Sequence, residues 1–241
     1  MTDVGGAFEQ YREIDTGEAF TPQGPYALKI ELSETSVMAR SGGMVAYQGD
    51  VRFEHAGSGG LGRFVKKAVT GEGTQLMKMS GTGEVFLADH AQDVHLIKLE
   101  DDRVTCNGAN VLAFDAGIDW DIEKVQGGMA GAMAGGLYNM SLGGTGWVAV
   151  ISDGPPVLLN TGTVPTFCDP QAAITWSSGV QTQVKADVNL KSFIGRGSGE
   201  TIQMAFSGEG WVLVQPSEGQ IQGAMPAGGG TGGGLLKQLG G

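Results

Sequence analysis

The chain has 241 residues, 41% of them apolar, which is enough for one sizeable all-β domain or two small ones. Its formal charge of −11, from 15 basic and 26 acidic residues, repels a phosphate backbone and offers anionic headgroups nothing to attract, so nucleic acid is not expected as a partner. Glycine supplies 43 residues, spread as punctuation between apolar runs up to residue 215, so turns should be frequent and helices few.

In chain order, residues 1–25 read as a lead-in. A helical turn is expected over 8–14, followed by TPQGP, whose prolines keep a regular strand away until Tyr26. The first 20 residues carry acids and lack the cationic start and apolar run of a signal peptide. Cys106 and Cys168 read as buried thiols of a reducing compartment, so the expected location is cytoplasmic. Residues 26–32 alternate as a strand, 33–35 turn, and 37–53 read as a strand pair broken at Gly42-Gly43. The segment 55–72 interrupts this pattern with a glycine-rich loop and the basic run Arg63-Phe64-Val65-Lys66-Lys67. That run reads as an insertion whose apolar side chains pack down while its cations stay wet; a docking patch for an acidic partner or lipid headgroups is the functional rival.

EGTQLMKMSGTGEVFLA (72–88), GGLYNMSLGGTGWVAVI (135–151) and GETIQMAFSGEGWVLVQ (199–215) are variants of one pattern. In the central copy Tyr138, Met140 and Leu142 alternate with Asn139 and Ser141, the period of a half-buried strand. A G-x-G follows in each copy: Gly81 and Gly83, Gly144 and Gly146, Gly208 and Gly210. These glycines free the backbone to take positive φ, and an apolar β-branched run then resumes, giving strand, glycine bend, strand. A phosphate-cradling loop would instead need a helix opening behind the glycines. The expected domain therefore covers 26–217 as three pseudo-repeated β units, at about 26–88, 89–151 and 152–215, closed about a shared axis so that few strand edges stay free.

Between the first two copies, Glu100-Asp101-Asp102 reads as a hairpin turn. NVLAFDAGIDWDI (110–122) is echoed by AAITWSSGVQTQV (172–184), with Phe114 matching Trp176 and Gly117 matching Gly179. The uncharged stretch between Lys124 and Asp153 is too glycine-rich for a spanning helix, so no transmembrane segment is expected, while peripheral membrane contact stays open. Within it Met129, Met133 and Leu137 recur every four residues and read as an adaptable contact surface for self-association or a protein partner. The tail 218–241 is too rich in glycine to pack and ends in LLKQL, whose Leu235 and Leu236 read as an assisting docking element.

Chemistry-bearing patterns are sparse. The histidines, His55, His90 and His95, form no recognised ligand set, no G-x-S-x-G surrounds a nucleophile, and no cofactor signature is present. Asp119 and Asp121 flank Trp120 at a spacing that places both carboxylates on one strand face, as paired acids in a glycosidase would be. Their counterparts Gln181 and Gln183 make a polar outer face the simpler reading.

VMARSGGMVAYQGDVRFE (37–54), TGEGTQLMKMSGTGEVFLA (70–88), VLAFDAGIDW (111–120), GGLYNMSLGGTGWVAVIS (135–152) and FSGEGWVLVQPS (206–217) together resemble the altered-inheritance-of-mitochondria protein twenty-four family. The resemblance implies a fold similar to the tryptophan RNA-binding attenuation protein, with β-sandwich units about a pseudo-threefold axis, but not that protein's RNA or tryptophan binding. It implies a link to membrane organisation through mitochondrial relatives, or to stress response through bacterial ones, and transfers no catalytic residues. No mitochondrial targeting segment is expected from the N-terminal residues. The expected function is a non-enzymatic scaffold or interaction module. The alternative is a small-molecule or carbohydrate binding protein, or an unrecognised hydrolase, with a cleft at Asp119, Trp120 and Asp121.

Overall fold

Apolar residues at every second position commit this chain to strands wherever a sheet face can be covered. A computed structural model describes residues 5–55, 76–124, 138–186 and 202–217. Its helical content there is one short helix, α1 (Gly5–Phe8), and 3-10 turns at Glu9–Tyr11 and Gly108–Asn110. The expected helical turn at 8–14 thus begins earlier. Pro22 does not keep the chain out of the sheet, because β1 (Phe20–Pro22) lies beside one strand only and places Phe20 in the core.

The remaining strands fall into three successive groups. The first is β2 (Leu28–Arg40), β3 (Met44–His55) and β4 (Leu76–Leu87). The second is β5 (Asp93–Asn107), β6 (Val111–Asp115), β7 (Asp119–Lys124) and β8 (Tyr138–Ser152). The third is β9 (Val157–Asn160), β10 (Thr166–Cys168), β11 (Ala173–Ser177), β12 (Gln181–Ala186), β13 (Ile202–Ser207) and β14 (Trp211–Val214). The large antiparallel sheet runs β3-β4-β2-β6-β8-β5-β11-β14-β9, with β1 added beside β2 and β7 beside β8, and β10-β13-β12 form a second sheet. Along the large sheet one order recurs: the last strand of each group lies between its middle and its first strand.

Short ladders join the groups. Val37, Met38 and Ala39 of β2 face Asp115, Phe114 and Ala113 of β6. In the same way Val104, Thr105 and Cys106 of β5 face Ser177, Trp176 and Thr175 of β11. Among the described residues the sheet nevertheless stays open, with β3 and β9 at its ends, rather than closing to leave few edges free. The core follows the same division. One cluster gathers the first group with Leu112, Ala113, Ala149 and Ile151 of the second, and another gathers the second with Met38, Leu76 and Ile174 of its neighbours. A third cluster, around Trp176, Met204 and Phe206, is drawn from the third group alone.

Three local expectations are corrected. The segment 37–53 is not a strand pair, because β2 and β3 both pair with β4; the link between them is pinned across the end of β4 by the Ala88 N–H donating to the Gly43 carbonyl at 2.8 Å. Residues 33–35 and 100–102 are not turns. β2 and β5 run through both places as bulges, with Glu34 at φ 58° and Asp101 at φ 55° absorbing one extra residue opposite the glycine bend. Nor do the bends always end a strand. β4 and β8 continue through theirs, whereas the third, between β13 and β14, carries the chain from the small sheet to the large one.

The six bend glycines take closely matching conformations: φ 121° and 150° at Gly81 and Gly83, 118° and 151° at Gly144 and Gly146, 101° and 154° at Gly208 and Gly210. A Cβ on Gly83 would land on the Gln48 carbonyl oxygen of β3. In the second and third groups a side chain fills the corresponding place and takes over a ladder bond: Asp115 Oδ2 accepts from the Trp147 N–H at 2.6 Å, and Ser177 Oγ accepts from the Trp211 N–H at 3.1 Å. Burial pushes the Asp115 carboxyl above its ordinary range, and the hydrogen bond from Trp147 only partly opposes this.

Two predictions follow from these bends. Gly83→Ala should lower unfolding stability by at least ~2 kcal/mol, because both φ and the facing carbonyl forbid a side chain. Gly117→Ala, whose Cβ would meet nothing within 4 Å, should change it by less than ~0.5 kcal/mol. Urea midpoints of the two variants check this, and equal losses would contradict it. For Asp115 the raised folded-state value means that its contribution is fully present below the unfolded carboxylate value and is lost as pH rises through the folded one. Asp115→Asn, which keeps an acceptor for Trp147 without the charge, should therefore gain in melting temperature on the wild type as pH rises from about 3.5 toward 7. A difference between the two proteins that does not change with pH would contradict it.

Candidate functional site

The acid pair picked out by spacing lies on β7, at the edge of β8, with Asp119 facing Gly143 and Asp121 facing Ser141. Arg103 reaches across from β5, donating from Nη1 to Ser141 Oγ at 2.9 Å and from Nη2 to Asp119 Oδ2 at 3.0 Å. Gly143 leaves the room this needs, since a Cβ there would run into the guanidinium. Trp120 packs edge-on against Phe114, with centroids 6.0 Å apart and planes at 63°. Asp119 therefore anchors Arg103 on an exposed face, and Trp120 belongs to the partly buried shell of the second cluster. An exposed ion pair of this kind contributes ~0–1 kcal/mol.

Other charged groups staple one strand to another. Arg40 pairs with Asp89 at 3.1 Å, and its guanidinium donates to the Val111 carbonyl at 3.3 Å and to that of Ala109, which ties the end of β2 to the start of β6. Burial lowers the Arg40 pKa, and the Asp89 charge only partly opposes it. Lys29 is almost wholly buried beneath Glu84 at 3.2 Å. Burial works against its charge, but the hydrogen bond and charge of Glu84, with Asp15 and Glu13 farther off, outweigh it and leave the ammonium above its ordinary value. At the junction of the second and third groups, Asn110 donates to the Ile151 carbonyl at 2.8 Å and to Gln215 Oε1 at 3.3 Å, and the same oxygen accepts from the Asp153 N–H at 3.0 Å.

His90 is exposed and 2.5 Å from Asp89 Oδ1, while His95 is half-buried and bonded to Ser152 Oγ at 2.7 Å. Burial lowers the His95 value against the pull of Asp93. Both cysteines are free and occupy the same strand position, Cys106 opposite Met140 and Cys168 opposite Met204. Burial pushes each thiol up to about 12; in Cys106 a hydrogen bond to Thr175 opposes the rise, and in Cys168 the Asp169 charge adds to it. Such thiols are poor nucleophiles at neutral pH. Among the described residues no group of three or more His, Cys, Asp or Glu could hold a metal ion.

Met129, Met133, Leu137, Leu235 and Leu236, the contact surface expected from sequence, lie outside the described residues, as does the basic run at 63–67. The structure points to a surface that sequence reasoning missed. Among the described residues, outside the N-terminal segment and Tyr26, the exposed large hydrophobic side chains are Val45, Tyr47, Val157, Leu158, Val164 and Phe167. Val45 and Tyr47 stand on β3, at one end of the large sheet. Val157 and Leu158 stand on β9 at the other end, and Val164 and Phe167 are in or beside β10, an edge of the small sheet. The signal for Tyr47 was its register: it faces Val85 as Phe114 faces Val148 and Trp176 faces Val212.

No helix among the described residues is long and apolar enough to cross a membrane. No match was found among curated proteins. The fold is similar to that of a Streptococcus pyogenes protein of known crystal structure, at a TM-score of 0.66 and 21% identity over 81% of this chain and 91% of that one. Residues 22–217 match the family described as mitochondrial biogenesis AIM24, a span that takes in every strand from β2 to β14. The chain is a member of the mitochondrial biogenesis AIM24 family.

Proposed function

We propose that the chain is a non-enzymatic interaction scaffold, built from three equivalent strand groups, that works through protein partners or self-association at the open ends of its sheets. The observation that carries this reading is the gathering of Val45, Tyr47, Val157, Leu158, Val164 and Phe167 on or beside the end strands, where apolar side chains on backbone with no ladder partner among the described residues suit strand addition. The engagement of Arg103, Asp119, Arg40 and Asp89 in contacts between strands adds support, because these groups serve the fold. The family description, mitochondrial biogenesis, and the resemblance to its relatives support membrane organisation or stress response as the setting for such a scaffold.

A photo-crosslinking residue at Tyr47 should capture defined protein adducts in cells, whereas the same residue at exposed Glu31 should not. Equal labelling from both positions would count against the reading. A thermal-shift panel of metals, sugars and nucleotides should leave the melting temperature unchanged. A specific ligand at about 100 times its Kd would add ~2.7 kcal/mol, a shift of several degrees. Such a shift, abolished by Asp121→Asn, would favour ligand binding at Asp119, Trp120 and Asp121 instead.

A further inference from the structure

The two internal junctions show what the open ends lack. Met38 faces Phe114 where the first group meets the second, and Thr105 faces Trp176 where the second meets the third. By register with Met77, Met140 and Met204, the residues Ala39, Cys106 and Cys168 hold one position on the first strand of each group. Phe167, one residue earlier, therefore corresponds to Met38 and Thr105. On the middle strands the same logic aligns Tyr47 with Phe114 and Trp176. A bulge at Met44/Ala46, Val111/Ala113 and Ala173/Thr175 likewise aligns Val45 with Leu112 and Ile174.

Burial separates the covered positions from the uncovered ones. Leu112 and Ile174 are 0% exposed and belong to the core cluster of the preceding group, whereas Val45 is 62% exposed. Phe114 and Trp176 are 0% and 2% exposed, whereas Tyr47 is 51%. At the other end Phe167 is 47% exposed where Met38 is 1%. Leu158, which matches Leu96 by register, is exposed where Leu96 packs against the first cluster. Each end thus carries half of a junction that the chain builds twice inside itself. Among the described residues no pairing joins β3 to β9 or β10, and the third core cluster includes no residue of the first group.

We propose that the occupant of each end is a second copy of this chain, with β10 of one copy adding antiparallel to β3 of the next in the register of the internal junctions. This sets Phe167 opposite Tyr47, Thr166 opposite Gln48 and Cys168 opposite Ala46. The aromatic pair becomes the centre of the contact, Val45 enters the neighbour's core as Leu112 and Ile174 do, and Leu158 is covered beside it. Because the two surfaces are unlike, the interface is head-to-tail, and a closed assembly repeats it at every junction. One three-residue ladder falls short of the ~1,200–2,000 Å² of a stable contact, so the flanking β9 supplies the remainder of each contact. The inference deepens the scaffold reading and rests on it. A strictly monomeric chain would overturn self-assembly while leaving capture of other proteins at Tyr47 untouched.

Complementation tests the polarity of the contact. In sedimentation velocity the wild type should run at twice 24.9 kDa or a higher whole multiple, while Tyr47→Lys and Phe167→Lys, both at exposed positions, should each run as folded monomers. Mixed in equal amounts, the two variants should form a two-chain species, because the intact β10 of the first meets the intact β3 of the second. That rescue also shows that both variants are folded. A monomeric wild type, single variants that assemble as the wild type does, or a mixture that stays monomeric would each overturn the proposal.

Discussion

The structure depends on how the central strand of each group passes its glycine bend. At Gly81 and Gly83 the backbone of β4 comes so close to that of β3 that a side chain would strike the Asp50 and Gln48 carbonyl oxygens. Such proximity is available only to glycine at these φ values, and it lets one strand carry ladders on both edges through a change of direction. The bulges at Glu34 and Asp101 answer the bend from across the ladder by inserting a residue on the longer path. Bend and bulge form one device, and without either the first and middle strands would lose register on opposite sides of the central one.

Differences between the groups show that this device tolerates more than one solution. In the first group β3 stays continuous, and its backbone lies against the bend. In the second and third the middle strand breaks at a turn, and a side chain from the residue before it, Asp115 or Ser177, accepts the tryptophan N–H. The carboxylate makes the shorter bond but incurs a desolvation cost, seen in its raised pKa, that the serine hydroxyl avoids. Two chemically distinct acceptors at one position indicate that the geometry, rather than the charge, is what the fold requires there.

The central strands were legible because their pattern survives at nearly constant spacing, 146 − 83 = 63 and 210 − 146 = 64. The middle strand of the first group was not matched to the others, for a reason of length. Tyr47 and its partner Val85 are 38 residues apart, while Phe114 and Val148 are 34 apart, so the offset that aligns the glycines misaligns the aromatics by four. The bulges were read as turns because Glu100-Asp101-Asp102 has turn composition, and composition does not show that Leu99 and Asp102 both keep partners on β8. The acids at 119 and 121 were placed correctly on one strand, but their neighbour Arg103 comes from a strand two places away in the sheet, a contact set by tertiary structure alone.

Edge strands ordinarily discourage pairing with charge, and β3 does so over only part of its length. Asp50, Arg52 and Glu54 stand exposed along its second half, while Val45 and Tyr47 occupy its first. The boundary between these halves falls where the internal junctions end: the β6 and β11 ladders stop at Asp115 and Ser177, the register equivalents of Gln48. A strand that merely tolerated exposure would have no reason to stop its apolar run at that register. The protected half of β3 corresponds to β7 and β12, to which neither internal ladder extends, and the unprotected half to β6 and β11, which are covered. The charge pattern of β3 thus follows the geometry of a junction that no described strand completes at this end.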